Sequence, residues 1–183
     1  MSTVYGRVDA ADDEQVHEYE RHFYHAYARL ADNKLVRMIW DWDDAQERTR
    51  TKIPYADQVI YTARDTGGRL AAAMAVNLNC PAAFQSEAFG FAPPGRVENR
   101  CCEILNVMAT PHHRGTALAT YGSFICAFGY GDLLAHGIDT AYSTCTHRRL
   151  RPYQRLGAEV LGQATLAGED RFFLRWPLRD LAR

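Results

Sequence analysis

No stretch of this sequence is apolar for long enough to cross a bilayer. The longest apolar region, Ala117 to Ala135, is broken by Thr120, Ser123, Asp132 and several glycines, short of the ~20 residues a span needs. The opening residues MSTVYGRVDAADDE hold no apolar signal core, so a soluble, cytoplasmic protein is the expectation. Metal-ligand spacing is missing too. The five cysteines, Cys80, Cys101, Cys102, Cys126 and Cys145, are odd in number and form neither CxxC nor a Cys/His cluster, which reads as reduced thiols with no metal site. An excess of either charge is also lacking. Lys and Arg number 21 against 22 Asp and Glu, a formal net charge of -1, so no global field draws the chain to nucleic acid or an anionic membrane. Internal repeats and low-complexity tracts are absent as well.

What is present is core-forming material. At 183 residues and 47% hydrophobic composition the chain suits one domain, 1–183, better than two. Val16, Tyr19, Phe23, Tyr27 and Leu30 recur at steps of three and four, an amphipathic helix with Asp12 or Asp13 as N-cap. Leu35, Ile39 and Trp42 predict a second helix from Asp32, making residues 1–52 a helical N-terminal part. Gln58 to Arg64 and Arg69 to Leu78 flank the turn Asp65-Thr66-Gly67-Gly68 and read as a hairpin. Residues 79–100, rich in proline and small residues up to Gly95, read as a loop insertion. Then follow a strand at Cys102 to Ala109, a helix from Ala117 to His136 ended by Gly137, a strand at Ile138 to Thr144, a short helix at Arg148 to Leu156, and a closing strand pair, Glu159 to Gln163 with Arg171 to Trp176. The order predicts an α/β (α+β) fold around a mostly antiparallel sheet with one central crossover.

Between the strand ending at Thr110 and the helix from Ala117, backbone N–H groups stand at a helix N-terminus, where free donors and the dipole favour an anion. Gly115 admits a phosphate closely and Ala117 keeps the next contact small. This segment, VMATPHHRGTALAT, resembles the acyl-CoA-binding motif of the GNAT superfamily: Gln or Arg, two residues, Gly, any residue, Gly or Ala. His112 takes the first place, a departure from the usual choice, with Gly115 and Ala117 in the small positions. Downstream, PYQRLGAEV is similar to the family's tyrosine, two residues, leucine, glycine segment. The resemblance covers roughly Gln58 to Trp176. It implies that Cys102 to Ala109 and Ile138 to Thr144 splay apart to admit a pantetheine arm, held by Val107, Met108, His112, His113, Arg114, Gly115, Thr116, Ala117 and Ala119. It implies an N-acyltransferase with no prosthetic group, which takes acyl-CoA or acyl-phosphopantetheine as co-substrate and a small-molecule amine as acceptor.

Acyl transfer to an amine needs an acid for the departing thiolate and a base for the attacking ammonium. By the same resemblance Tyr153 is the acid. Glu103, which interrupts an apolar strand, is the first choice of base, with His147 the rival. CEILNVMA is similar in turn to the Cys/Trp-Glu-x-x-Arg strand of acyl-homoserine-lactone and N-acyl amino acid synthases, whose donor is an acyl carrier protein. Asp57 stands in a comparable place to their aspartate, but Asn106 replaces their arginine. Arg148, Arg149, Arg151 and Arg155 form a basic patch suited to coenzyme A phosphates or to an acidic carrier. Tyr24, Tyr27, Trp40, Trp42, Phe84, Phe89 and Phe91 are candidate walls of an acceptor pocket, and Asp41, Asp43 and Asp44 candidate partners of an ammonium. A non-catalytic acyl-CoA-binding module is the competing class, and self-association into a homodimer stays open.

Overall fold

The structure, a computed structural model, describes residues 3–29, 34–80, 82–94, 100–110 and 128–181. Strand β1 (Val4–Arg7) leads into helix α1 (Asp13–Tyr27), whose N-cap Asp12 accepts from the amides of Glu14 and Gln15. Of the stripe predicted from sequence, Val16, Tyr19 and Phe23 are buried and Tyr27 is half-buried, while Leu30 lies outside the described residues. Helix α2 (Lys34–Ile39) is short. The helical expectation for residues 1–52 is corrected here, because Trp42 belongs to a hairpin, β2 (Trp40–Asp43) with β3 (Arg48–Thr51). Aromatic and threonine residues that suit a pleated, half-buried surface outweigh the helical spacing: Trp40, Thr49 and Thr51 are buried. β1, also unforeseen, adds to the sheet edge by pairing with β4 (Gln58–Arg64).

β4 and β5 (Leu70–Asn77) form the expected hairpin. Every residue of β5 is buried. Its alanines favour helix in isolation, but on a strand covered on both faces they let neighbouring layers approach closely. β6 (Cys101–Ala109) follows, then helix α3 (Tyr130–Ala135), β7 (Thr140–Thr146), helix α4 (His147–Arg155), β8 (Glu159–Leu166), β9 (Glu169–Pro177) and helix α5 (Leu178–Leu181). The helix expected from Ala117 is described only over Tyr130–Ala135. The seven-stranded sheet runs β1-β4-β5-β6-β7-β9-β8. Its neighbours are antiparallel except β6 and β7, the crossover pair.

One face of the sheet carries α1, α2, the β2–β3 hairpin and the loop that contains the 3-10 turn Gln85–Phe89. The other carries α3, α4 and α5. Asp132 pins α3 to the far edge, accepting from Arg7 and from the Tyr61 hydroxyl at 2.6 Å. No helix among the described residues is long and apolar enough to cross a membrane.

Candidate functional site

β6 and β7 part. Only Cys101, Cys102 and Glu103 of β6 pair with β7, at Thr140, Ala141 and Tyr142. Beyond Glu103 the facing edges lose their ladder, which leaves backbone groups there for another partner. At the point of parting β6 is bulged: Ala75 pairs with Asn106 and Val76 with Ile104, so Leu105 is the extra residue. A narrow cleft of about 80 Å³ occupies the gap, lined from both faces of the sheet. Tyr27, Ile39, Trp40 and Phe89 line it from the α1 side, and Tyr130, Tyr153 and Trp176 from the α3–α4 side.

Tyr153 stands half-buried on α4 with its ring 5.3 Å from Trp176. Its hydroxyl has no hydrogen-bond partner among the described residues, and burial raises the phenol well above its ordinary value while Arg149 pulls it down. The end of α4 explains its placement. The Ala158 amide donates to the Tyr153 carbonyl at 3.0 Å, the closing bond of a helix terminated by a left-handed glycine. That glycine is Gly157, at φ +92°, and a Cβ there would lie 2.1 Å from Leu181 Cδ2. Trp176, opposite Tyr153, is itself fixed by donating to Ser143 Oγ at 2.9 Å.

Glu103 is 1% exposed. Its carboxylate accepts from the backbone amides of Gln85 at 2.6 Å and Ser86 at 2.7 Å and from the Ser86 hydroxyl, so it anchors the 3-10 turn above the cleft. Burial pushes its pKa up to about 7 against those bonds. It does not itself line the cleft; Gln85 does, bridging the Leu105 carbonyl (3.2 Å) and the Trp40 indole N–H (2.5 Å). His147 is exposed at the first position of α4, its ring 6.2 Å from Phe172.

Val107 lines the cleft, and its carbonyl accepts from the Tyr27 hydroxyl at 3.0 Å. Met108 is buried on the α1 side. Arg148 and Arg149 are exposed on α4, and the Arg149 charge acts on both the Tyr27 and Tyr153 phenols. His112, His113, Arg114, Gly115, Thr116, Ala117 and Ala119 lie outside the described residues. Of the aromatic candidates, Tyr27, Trp40 and Phe89 line the cleft. Phe84 and Phe91 instead pack on Tyr142 and Phe173, and Tyr24 on Trp42. Asp41 and Asp43 line a separate polar depression with Arg48 and Arg50, and Asp44 is held by Arg37 at 2.9 Å. Asp57 accepts from the Asn79 side chain at 3.0 Å and serves the loop.

Sequence reasoning missed Arg171 and Ser143, and saw in Asn106 only a departure from a motif. Arg171 is 7% exposed and lines the cleft beside Phe89, whose ring centroid lies 5.5 Å from the guanidinium carbon. Asn106 is 5% exposed and donates to the Tyr19 hydroxyl at 2.8 Å. Among the described residues no cluster of three or more His, Cys, Asp or Glu is placed to hold a metal ion.

The architecture is a GNAT-like fold: a mostly antiparallel sheet opened between two central parallel strands and flanked by helices. Within it, the chain is similar to the acyl-homoserine-lactone synthase LasI (TM-score 0.74, 13% identity, 97% of this chain and 89% of that one). It is similar also to the CoA-dependent acyl-homoserine lactone synthase BjaI, solved with SAM and isopentyl-CoA (0.72, 13%, 99% and 86%). A third is a protein assigned to the GNAT family of acetyltransferases from Desulfovibrio desulfuricans (0.61, 11%, 97% and 99%). No protein-family model matches the sequence, and no curated protein does.

Proposed function

We propose that the protein is an N-acyltransferase that moves an acyl group from a pantetheine thioester to the amine of a small molecule by direct attack. The observation that carries this reading is the cleft between β6 and β7, lined from both faces, with a phenol at its α4 side that has no hydrogen-bond partner among the described residues. An extended arm laid along the unladdered edge of β6 pairs with backbone groups. Amides near the Leu105 bulge then face the thioester carbonyl and stabilise the oxyanion that forms on it. The amine, arriving from the α1 side, attacks the carbonyl carbon. As the C–S bond breaks, Tyr153 gives its proton to the thiolate, and the nitrogen's proton passes through water to Glu103 or His147, neither of which lines the cleft itself. Val107 and Met108 flank the arm, and His112, His113, Arg114, Gly115, Thr116, Ala117 and Ala119 supply the pyrophosphate cradle.

A carrier-dependent version, in the manner of an N-acyl amino acid or autoinducer synthase, is favoured by a specific observation. Arg148, Arg149, Arg151 and Arg155 are all exposed on α4, and none makes an ion pair among the described residues. An acidic carrier protein docked there brings its thioester to Tyr153.

Incubation of the protein with short and long acyl-CoA and acyl-carrier donors, an amine panel and a thiol reagent tests the reading. Donor-dependent thiol release with an acylated product by mass spectrometry is the expected result. Tyr153→Phe lowers turnover ~10²-fold with donor affinity nearly unchanged. Tight donor binding without thiol release from any pair leaves a binding module instead.

A further inference from the structure

The cleft holds two buried polar groups that the reaction above does not use and that the fold leaves unfinished. Arg171 is more than nine-tenths buried. Its Nη2 reaches Glu169 at 3.3 Å, yet its Nε has no hydrogen-bond partner among the described residues. Asn106 is also more than nine-tenths buried, spends its amide N–H on Tyr19, and leaves Oδ1 without a partner among the described residues. Both line the cleft. A buried guanidinium donor and a buried carbonyl acceptor each cost free energy when unmet. One ligand that offers an anionic oxygen and an N–H satisfies both.

Strand alternation places the cation on the acceptor's side. Phe172 and Trp176 turn to the α3–α4 face, Trp176 against Tyr153, whereas Arg171 and Phe173 turn to the loop face, against Phe89 and Phe91. Phe89 covers one side of the guanidinium, its ring centroid 5.5 Å from the guanidinium carbon. The Tyr27 hydroxyl, on α1, feels the charges of both Arg171 and Arg149, and Glu169 meets only the Nη2 end of the Arg171 guanidinium.

We propose that Arg171 and Asn106 form an acceptor subsite for an amine that carries a small anionic group, a carboxylate above all, with Arg171 reading the anion and the Asn106 carbonyl oxygen receiving an N–H of the amine. The proposal rests on the acyl-transfer reading for the ligand's role, but its test does not need turnover. Calorimetry on the donor-free protein compares leucine and phenylalanine with isopentylamine and phenethylamine, their decarboxylated counterparts, and phenylacetate with phenylacetamide. The carboxylated member of each pair binds at least ~10-fold more tightly to the native protein, because a charge-assisted bond replaces an unmet donor. Arg171→Gln brings each pair to within about threefold, and Arg171→Lys, which keeps the charge but not the fork, recovers part of the preference. Asn106→Leu weakens both amines and amino acids while leaving the phenylacetate preference in place. Equal binding within each pair by the native protein, or no binding of any carboxylate, overturns the subsite whether or not the variants fold. If instead the preference appears and no acyl donor is ever turned over, the subsite stands and the acyl-transfer reading falls.

Discussion

Glu103 carries a charge problem that is visible in stability as well as chemistry. Folding buries its carboxyl and lifts its pKa from an ordinary 4.5 to about 7, so the folded state holds the proton more tightly than the unfolded chain. Its contribution to stability is then full below pH 4.5 and is lost as pH rises to about 7, roughly 3 kcal/mol in all. Urea unfolding across this window shows that slope in the native protein, and Glu103→Gln flattens it. An unchanged slope places the titration elsewhere. At this scale Glu103 stood out in the sequence as an acid within an apolar strand, but its partners, Gln85 and Ser86, come from a loop whose fold no periodicity announces. Arg171 gave no such signal. It sits in a run of alternating character after a turn, and its burial depends on Phe89 from far along the chain.

Among the elements, α4 shows how a motif glycine works. Gly157 ends the helix at φ +92°, and a Cβ there would push aside the tip of the Leu181 side chain of α5. Gly157→Ala therefore carries left-handed strain, with little added by moving Leu181, and costs ~1–2 kcal/mol. The urea midpoint falls with little change in the slope of the transition. Because the same turn orients Tyr153, activity at low temperature falls with it. Elements with local punctuation were the readable ones: α1 with Asp12 and its apolar stripe, the β4–β5 hairpin with its Asp65–Gly68 turn, and α4 with Gly157. β5 was less so, since its alanines become strand only through layers packed on both faces. The β2–β3 hairpin was hidden for the opposite reason: Leu35, Ile39 and Trp42 fall at helical spacing by coincidence, and the chain turns at Trp40.

For the molecule as a whole, near-neutral net charge leaves a local cluster of exposed arginines on α4, the helix that carries Tyr153 into the cleft. Replacing Arg148 and Arg149 together with serine lowers donor kcat/KM ~10-fold in dilute buffer and much less at ~0.5 M salt, where screening already removes the attraction. A salt-independent loss, or none, makes these arginines an ordinary solvated face. The fold class and the order of elements around the crossover were legible because each follows from alternation and turns. The cleft was legible only through the family resemblance, which implied that β6 and β7 splay; the residues themselves do not announce it, because unpaired edges leave no mark on composition. A gap lined from both faces of a sheet can also be approached from two sides. Under the chemistry proposed here, each reactant keeps its own entrance, so neither has to leave before the other arrives, and the acyl group passes in a single ternary encounter without being parked on the protein.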